Sequence, residues 1–324
     1  MTAPALNVLI LSCGRRVELV RAFKTELEAR LPGARVLATD LKPETSAACH
    51  AADRAFTAPR VTDSGYHDFL LDLCMREGVG LVVPTIDTEL LGLALSRDRF
   101  ATQGVELIIS SETLVSACRD KRQTSTLFTD VGIEAPLILE RNALKFPCFV
   151  KPYDGSRSVG AMLLPDSQSV TPAILDDLKM MFMEFIDGTH QEYTVDAYYD
   201  RHGTLKCMVP RERLEVRDGE VNKGVTRKNY VYRYLVDKLS KVKGARGCLT
   251  VQLFAKAHGP RYAALEINPR FGGGFPLTYA AGGNYPGWLI DEYLLGKEVE
   301  PFDKWESDLL MLRYDAKIMV HGQA

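Results

Sequence analysis

The chain has 324 residues, 46% of them hydrophobic and 25% charged, proportions of a soluble globular protein of two or three domains and not of a disordered chain, a collagen-like repeat or a coiled-coil rod. Forty Lys and Arg against 42 Asp and Glu leave a formal charge of −2, so no global basic field exists to hold a nucleic-acid backbone or an anionic membrane. Any bound anion must be met by local cations and backbone N–H groups. No stretch approaches the roughly 18 apolar residues of a membrane span, and residues 1–4 lack the basic start of a signal peptide. The seven cysteines lie at least 25 positions apart, with no C-x-x-C and no Cys/His cluster. The expectation is a reduced, cytoplasmic protein without a zinc or iron–sulfur centre.

The first third alternates strand and helix patterns. Residues 7–11 are a short apolar run, and 16–30 carry apolar residues at helical period until Pro32-Gly33 stops them. Residues 35–38 read as a second strand, 66–77 as a helix ended by Gly78, 81–83 as a third strand and 107–109 as a fourth. Strands separated by helices imply a parallel, doubly wound sheet, whose ligands sit beyond the carboxyl ends of the strands. Those ends carry Ser12, Gly14, Arg15, Asp40, Asp87 and Glu89. After residue 110 the character changes. Residues 111–131 read as one helix, 146–151 and 161–164 as a hairpin around a glycine-containing loop, and 181–186, 192–199, 204–210, 251–255 and 262–267 as further strands. Helices over 275–281 and 286–295 complete an α+β body.

Three strings bear chemistry. In the first, an apolar strand delivers Lys151 just before a loop with Gly155, Ser156, Ser158 and Gly160. Glycines let backbone N–H groups approach a phosphate, hydroxyls add donors and the lysine supplies a point charge, although no G-K-[ST] opens a helix as in a Walker loop. In the second, Glu266 and Asn268 alternate along a strand ended by Pro269, so both project from one face, a pair of oxygen donors suited to a hard cation such as Mg²⁺. Gln252 on the preceding strand adds a third oxygen, and Arg270 stands where it meets a phosphoryl group. The bland alternative is a solvated edge strand, which leaves Gly272-Gly273-Gly274 unexplained. In the third, Phe185 and Ile186 lie between Glu184 and Glu192 with Gly188 at a turn. Such a segment suits backbone reading of a base and a carboxylate on ribose hydroxyls, but also fits an ordinary strand–turn–strand.

These strings, in this order, resemble the ATP-grasp superfamily, and among its members the carbamoyl-phosphate-synthase-like and pyrrolysine-pathway-ligase-like ones, over essentially the whole chain. The resemblance implies a Rossmann-like pre-ATP-grasp domain over 1–112, an ATP-grasp small lobe over 113–186 and a large lobe with the Mg-binding strands over 187–324. It makes Lys121 and Lys151 the two ATP lysines, Gly155, Ser156, Ser158 and Gly160 the glycine loop, Glu184, Phe185 and Ile186 the adenine hinge, and Glu192 the ribose acid. Gln252, Glu266 and Asn268 become the holders of one or two Mg²⁺ ions, for which Mn²⁺ is a substitute, with Gln where the family more often has Glu. Lys151 and Arg270 become the catalytic cations.

The implied activity joins a carboxylate to an amine. ATP activates the acid as an acyl phosphate, the amine attacks it, and ADP and phosphate leave. Cations and Mg²⁺ offset the repulsion between carboxylate and triphosphate. The acyl phosphate calls for a lid, expected at 156–159 and in the polar stretch 211–229. Substrate-binding candidates are Arg15, Asp87, Glu89, Arg211, Arg213 and Arg227. For Asp87 and Glu89 the competing role is capping the helix that follows. Small-molecule acid and amine are the expected partners, with a homodimer as default assembly. The alternatives are phosphorylation of a small acid as in carbamoyl-phosphate synthesis, for which the second synthetase half is missing, and a non-catalytic ATP-binding protein, against which the retained lysines and metal residues argue. A dinucleotide oxidoreductase fares poorly without a G-x-G-x-x-G run. The six histidines (50, 67, 190, 202, 258 and 321) are dispersed and read as structural or exposed.

Overall fold

The computed structural model describes residues 6–155, 159–217, 219–256 and 261–321. Strands β1 (Asn7–Ile10), β2 (Val36–Asp40), β3 (Arg54–Thr57), β4 (Val79–Val83) and β5 (Glu106–Leu107) form a parallel sheet in the order β3-β2-β1-β4-β5. Alternation along β1 explains its two covers. Val8 and Ile10 join one core with Leu19, Val20, Phe23 and Leu27 of α1 (Val17–Arg30). Leu9 faces the other way, into a core with Leu70 and Leu73 of α3 (Tyr66–Glu77) and Leu90 and Leu93 of α4 (Asp87–Ala101); the short α2 (Ala47–Ala51) closes the first face. The sheet order reverses at β1, so the loops after β1 and β4 flank a crevice at the switch point.

The helix expected over 111–131 is two: α5 (Glu112–Arg119) and α6 (Lys121–Asp130). Asp120 breaks it, because its carboxylate caps α6 by accepting the Arg122 N–H at 2.9 Å. A small antiparallel sheet follows, in the order β6-β9-β7-β8, from β6 (Ile138–Leu139), β7 (Cys148–Pro152), β8 (Met162–Leu164) and, after α7 (Pro172–Asp176), β9 (Met180–Glu184). Its own core is Cys148, Val150, Leu164 and Phe182.

The largest sheet is antiparallel, in the order β14-β13-β10-β11-β12-β15. Its strands are β10 (Gln191–Tyr199), β11 (Leu205–Arg217), β12 (Glu220–Thr226), β13 (Gly247–Ala255), β14 (Tyr262–Asn268) and β15 (Leu310–Leu312). On one face Tyr193, Val195, Ala197, Val251 and Ile267 pack with Phe128 of α6 and with Val231 and Leu235 of α8 (Tyr230–Leu239). The opposite face is apolar at Tyr198, Val209 and Cys248, under α9 (Phe275–Ala280), α10 (Tyr285–Tyr293) and α1, and polar beyond them. Register sets that polar surface. Thr226, Arg211, Thr194, Gln252 and Glu266 are successive cross-strand partners in one row, and Asp196, Thr250 and Asn268 form the next.

The stretch 211–229, expected as a lid, is buried toward its ends at Arg211 and Thr226 and is exposed from Leu214 to Arg217. β11 and β12 continue as a sheet hairpin through most of it, and Arg211 and Thr226 are fully buried, the first against Asp196. The Asp196 carboxylate takes the Arg211 guanidinium at 2.9 Å and the Thr250 and Thr278 hydroxyls at 2.9 and 2.6 Å. With both ions out of water, loss of one partner leaves an uncompensated charge. Asp196→Ala is therefore expected to destabilise the protein by about 3–5 kcal/mol, read from urea unfolding. A loss under about 1 kcal/mol would show that Arg211 does not need this partner.

Candidate active site

The site lies where the three sheets meet. β7 runs apolar through Cys148 and Val150 and delivers Lys151 at its end. The start of α6 docks onto the turn after β7, its Lys121 N–H bonding to the Tyr153 carbonyl at 3.0 Å, while the Arg122 guanidinium lies over the Tyr153 ring at 3.7 Å. Lys121 Nζ reaches the Gly155 carbonyl at 2.5 Å and stands 3.9 Å from the Glu266 carboxylate. Burial, opposed by Glu266 and reinforced by Lys121, pushes the Lys151 ammonium down to about 8. Lys121 thus stands beside the Glu266 carboxylate, and Lys151 lies in the field of both.

β14 supplies that carboxylate. Ile267 points into the core, so Glu266 and Asn268 face the cleft together. The Asn268 amide donates to Glu266 at 3.1 Å and its carbonyl oxygen accepts from Arg270 at 3.2 Å, while Arg270 also donates to Asp87 at 2.7 Å. Gln252, directly opposite Glu266, donates its amide to Glu192 at 2.5 Å. That leaves the Gln252 carbonyl oxygen as the ligand atom it offers. The donor set of one carboxylate and two amide oxygens fits a hard cation such as Mg²⁺, and the buried, unpartnered Arg270 Nε is a donor still to be satisfied.

The segment expected as the hinge is partly exposed. Glu184 ends β9, its N–H bonding to the Leu137 carbonyl at 2.9 Å and its carboxylate to Arg261 at 2.5 Å; Phe185 is exposed and Ile186 half-buried. Glu192, expected at a ribose, is half-buried like Glu184 and is held by Gln252 and Arg213. Gly160 has φ +74°, and a Cβ there would stand 3.2 Å from the Pro152 ring, as would one on Gly155, so these glycines let the loop fold back on the strand end. Ser156 and Ser158 lie outside the described residues.

The substrate candidates divide. Asp87 belongs to the site through Arg270; Ile86, not Asp87, is the N-cap of α4. Glu89 is corrected to a structural role. It is buried and accepts from the Thr85 and Ile86 N–H groups at 2.8 and 3.2 Å, the Ser12 hydroxyl at 2.9 Å and the Tyr66 hydroxyl at 3.1 Å, and burial raises its carboxyl. Arg227 is likewise removed, since it pairs with Glu212 and Asp308. Arg213 serves Glu192 instead of an open pocket, and Arg15 is exposed. The neighbouring Arg16 reaches inward instead. Burial first, and Arg270 second, push its guanidinium down to about 10, with Glu220 and Asp87 opposing. Arg211 remains, fully buried, with Nε and Nη1 unpartnered.

Sequence reading missed Glu220, Arg313 and His190. Arg313 donates to Glu220 at 2.9 Å and to the Gly273 carbonyl at 2.8 Å, tying the glycine run to β12. His190 has its Nδ1 on Asp187 at 2.9 Å and a buried, unpartnered Nε2. Its only sequence signal was its position two residues before Glu192.

With this geometry in hand, the comparisons with known proteins converge. Residues 8–108 match the family model of PylC-like N-terminal domains, and residues 176–315 that of the ATP-grasp in the biosynthetic pathway with Ter operon. The fold is similar to that of the biotin carboxylase domain of 2-oxoglutarate carboxylase from Hydrogenobacter thermophilus, solved with MgADP and bicarbonate. That match has a TM-score of 0.74 and 13% identity, over 94% of this chain and 73% of that one. The L-amino acid ligase from Bacillus licheniformis matches at TM-score 0.67 and 17% identity, over 90% and 75%. The N5-carboxyaminoimidazole synthetase from Staphylococcus aureus, complexed with ADP, matches at 0.69 and 13%, over 91% and 78%. No curated protein matches the chain in sequence.

The Lys151 ammonium titrating near 8 gives a pH signature. It is charged below that value and neutral above it, so binding of inorganic tripolyphosphate is expected to weaken steadily between pH 7 and 9 in calorimetry. A flat profile, or one unchanged by Lys151→Met, would remove Lys151 from the anion site.

Proposed function

The chain belongs to the ATP-grasp superfamily, and from that premise we propose that it is an ATP- and Mg²⁺-dependent ligase that activates a small-molecule carboxylate as an acyl phosphate and joins it to an amine, releasing ADP and phosphate. The observation that carries this reading is the convergence of Lys121 and Lys151 on Glu266, beside the Asn268–Arg270–Asp87 chain of hydrogen bonds.

In this reading Lys121 and Lys151 hold the triphosphate from the small-sheet side, and the Tyr153 carbonyl fixes where the first of them enters. Gln252, Glu266 and Asn268 hold the metal, which supplies charge neutralisation to the phosphate oxygens. Arg270, steered by Asn268 and Asp87, faces the transferring phosphoryl group. Glu184, Phe185 and Ile186 form the hinge for the base, and Glu192 with His190 faces the sugar. The acid and the amine enter from the crevice between β1 and β4, where Arg16 offers a cationic donor and Asp87 and Glu220 offer anions to an ammonium group. A division at residues 112 and 186 serves this reading, with nucleotide between the second and third parts and acid and amine between the first and third.

The reading is tested by incubating the protein with ATP, Mg²⁺ and a library of acids and amines. ADP and phosphate are expected to appear only with a matched pair, and steady AMP release would contradict it. Lys151→Ala is expected to abolish that release in a folded protein. Glu266→Ala is expected to weaken Mg²⁺-ATP binding in calorimetry, and an unchanged affinity would return Glu266 to a solvated strand. Asp87→Ala is expected to raise the amine KM more than the ATP KM; equal effects would confine Asp87 to orienting Arg270.

A further inference from the structure

Cysteines 36 positions apart in the sequence meet in the buried core of the fold. Cys13 follows β1 and Cys49 lies in α2, and their Sγ atoms are 3.4 Å apart. The Asp40 carboxylate, at the end of β2, completes a group whose three ligand atoms all lie within 4.8 Å of one another. The Ser46 hydroxyl stands 3.7 Å from Cys13 Sγ. Asp40 Oδ2 accepts the Gly14 N–H at 2.9 Å, whereas Oδ1 has only a long contact of 3.4 Å from the Lys42 N–H. Among the described residues no Lys, Arg or His pairs with this carboxylate. A carboxylate turned toward two thiols without a cation is an arrangement that a divalent ion completes.

We propose that Cys13, Cys49 and Asp40 form a structural site for a borderline-soft divalent cation, with Zn²⁺ as the chemistry that fits. Two thiolates select against Mg²⁺, and with one carboxylate they make three of the four corners of a tetrahedral zinc site; the Ser46 hydroxyl or a water takes the fourth. Two sulfurs at about 2.3 Å from one zinc stand roughly 3.8 Å apart, so the 3.4 Å pair need open by only a few tenths of an ångström. A disulfide, at about 2.05 Å, requires a larger closure. Binding releases the two thiol protons to solvent and involves no change of oxidation state.

The consequence reaches the crevice. Cys13 is followed by Gly14, Arg15 and Arg16, and the Gly14 carbonyl is already bonded to the Ala48 N–H and the Ser46 hydroxyl, both at 3.0 Å. Ser12 is held at φ +48° and Gly14 at +49°, conformations that side chains seldom take. A metal joining the β1 exit, the β2 end and α2 braces the turn that presents Arg16.

The test uses the full chain, reduced, stripped with chelator and reloaded with Zn²⁺ or Co²⁺ alone. One equivalent of zinc by elemental analysis is expected, with a thiolate-to-cobalt charge-transfer band and a raised Tm. Cys49→Ser and Asp40→Asn are expected to lose the equivalent or weaken it at least about tenfold. Glu266→Gln is expected to retain the cobalt band, which separates this site from the proposed Mg²⁺ site and leaves each free to fail alone. No thiolate band in the wild-type protein, a band that survives Cys49→Ser, or a Cys13–Cys49 disulfide that forms in the presence of Zn²⁺ would each overturn the proposal. Because the wild-type spectrum is itself decisive, the test does not depend on any variant folding.

Discussion

Two ammonium groups beside one carboxylate is the arrangement around which this molecule is organised. Lys121 and Lys151 repel each other, and burial disfavours the charge on Lys151. Glu266, on a different sheet, offsets only part of that cost. The fold therefore sets two cationic side chains against one carboxylate where its sheets meet, which is the electrostatic condition for capturing a polyanion in a chain of nearly zero net charge. The backbone supports it. The Tyr153 carbonyl fixes α6, the Gly155 carbonyl orients the Lys121 side chain, and the alternation of β14 puts Glu266 and Asn268 on one face.

The second constraint ties that junction to the parallel sheet. Arg270 lies just past the end of β14 and meets Asp87 from the start of α4, and Arg16 from the start of α1 lies in the same field. Beneath it, the buried Arg211–Asp196 pair keeps a guanidinium with two unpartnered nitrogens under the glycine run, where a Cβ on Gly274 would come within 1.9 Å of Arg211 Nη1. Glycine at 274 is thus required by close approach, and Arg313 on the Gly273 carbonyl holds the run in place. At the other end of the interface, Glu26 accepts from Tyr279 and Asn284 at 2.6 and 2.8 Å, while Arg30 pairs with Asp291 at 2.9 Å. These contacts clamp α1 to α9 and α10, so the crevice is set by two walls anchored independently.

Much of this was legible in the sequence wherever a local rule carried the information. Periodicity and Gly78 gave the 66–77 helix, alternation gave the Glu266/Asn268 face, and strand-then-glycine gave the Lys151 loop. Legibility failed where the deciding contact was distant. Nothing near Glu89 tells that its carboxylate ends on Ser12 and Tyr66, and nothing near Arg211 tells that its guanidinium is buried on Asp196 while the charged residues from Glu215 to Arg217 stay exposed. The strand at Arg54–Thr57 escaped notice because it is an exposed edge without apolar alternation. Asp120 hid a helix break inside a continuous helical pattern, and Arg16, not Arg15, faces inward for a reason of phase that only the turn at Ser12-Gly14 sets.

The most direct test of the central claim follows an oxygen atom. With the acid that supports turnover labelled with ¹⁸O in its carboxylate, passage through an acyl phosphate transfers one labelled oxygen to the released inorganic phosphate, detectable by mass spectrometry or by the isotope shift in ³¹P NMR. The account predicts labelled phosphate and unlabelled ADP. Phosphate free of label, or label recovered in AMP, would contradict it.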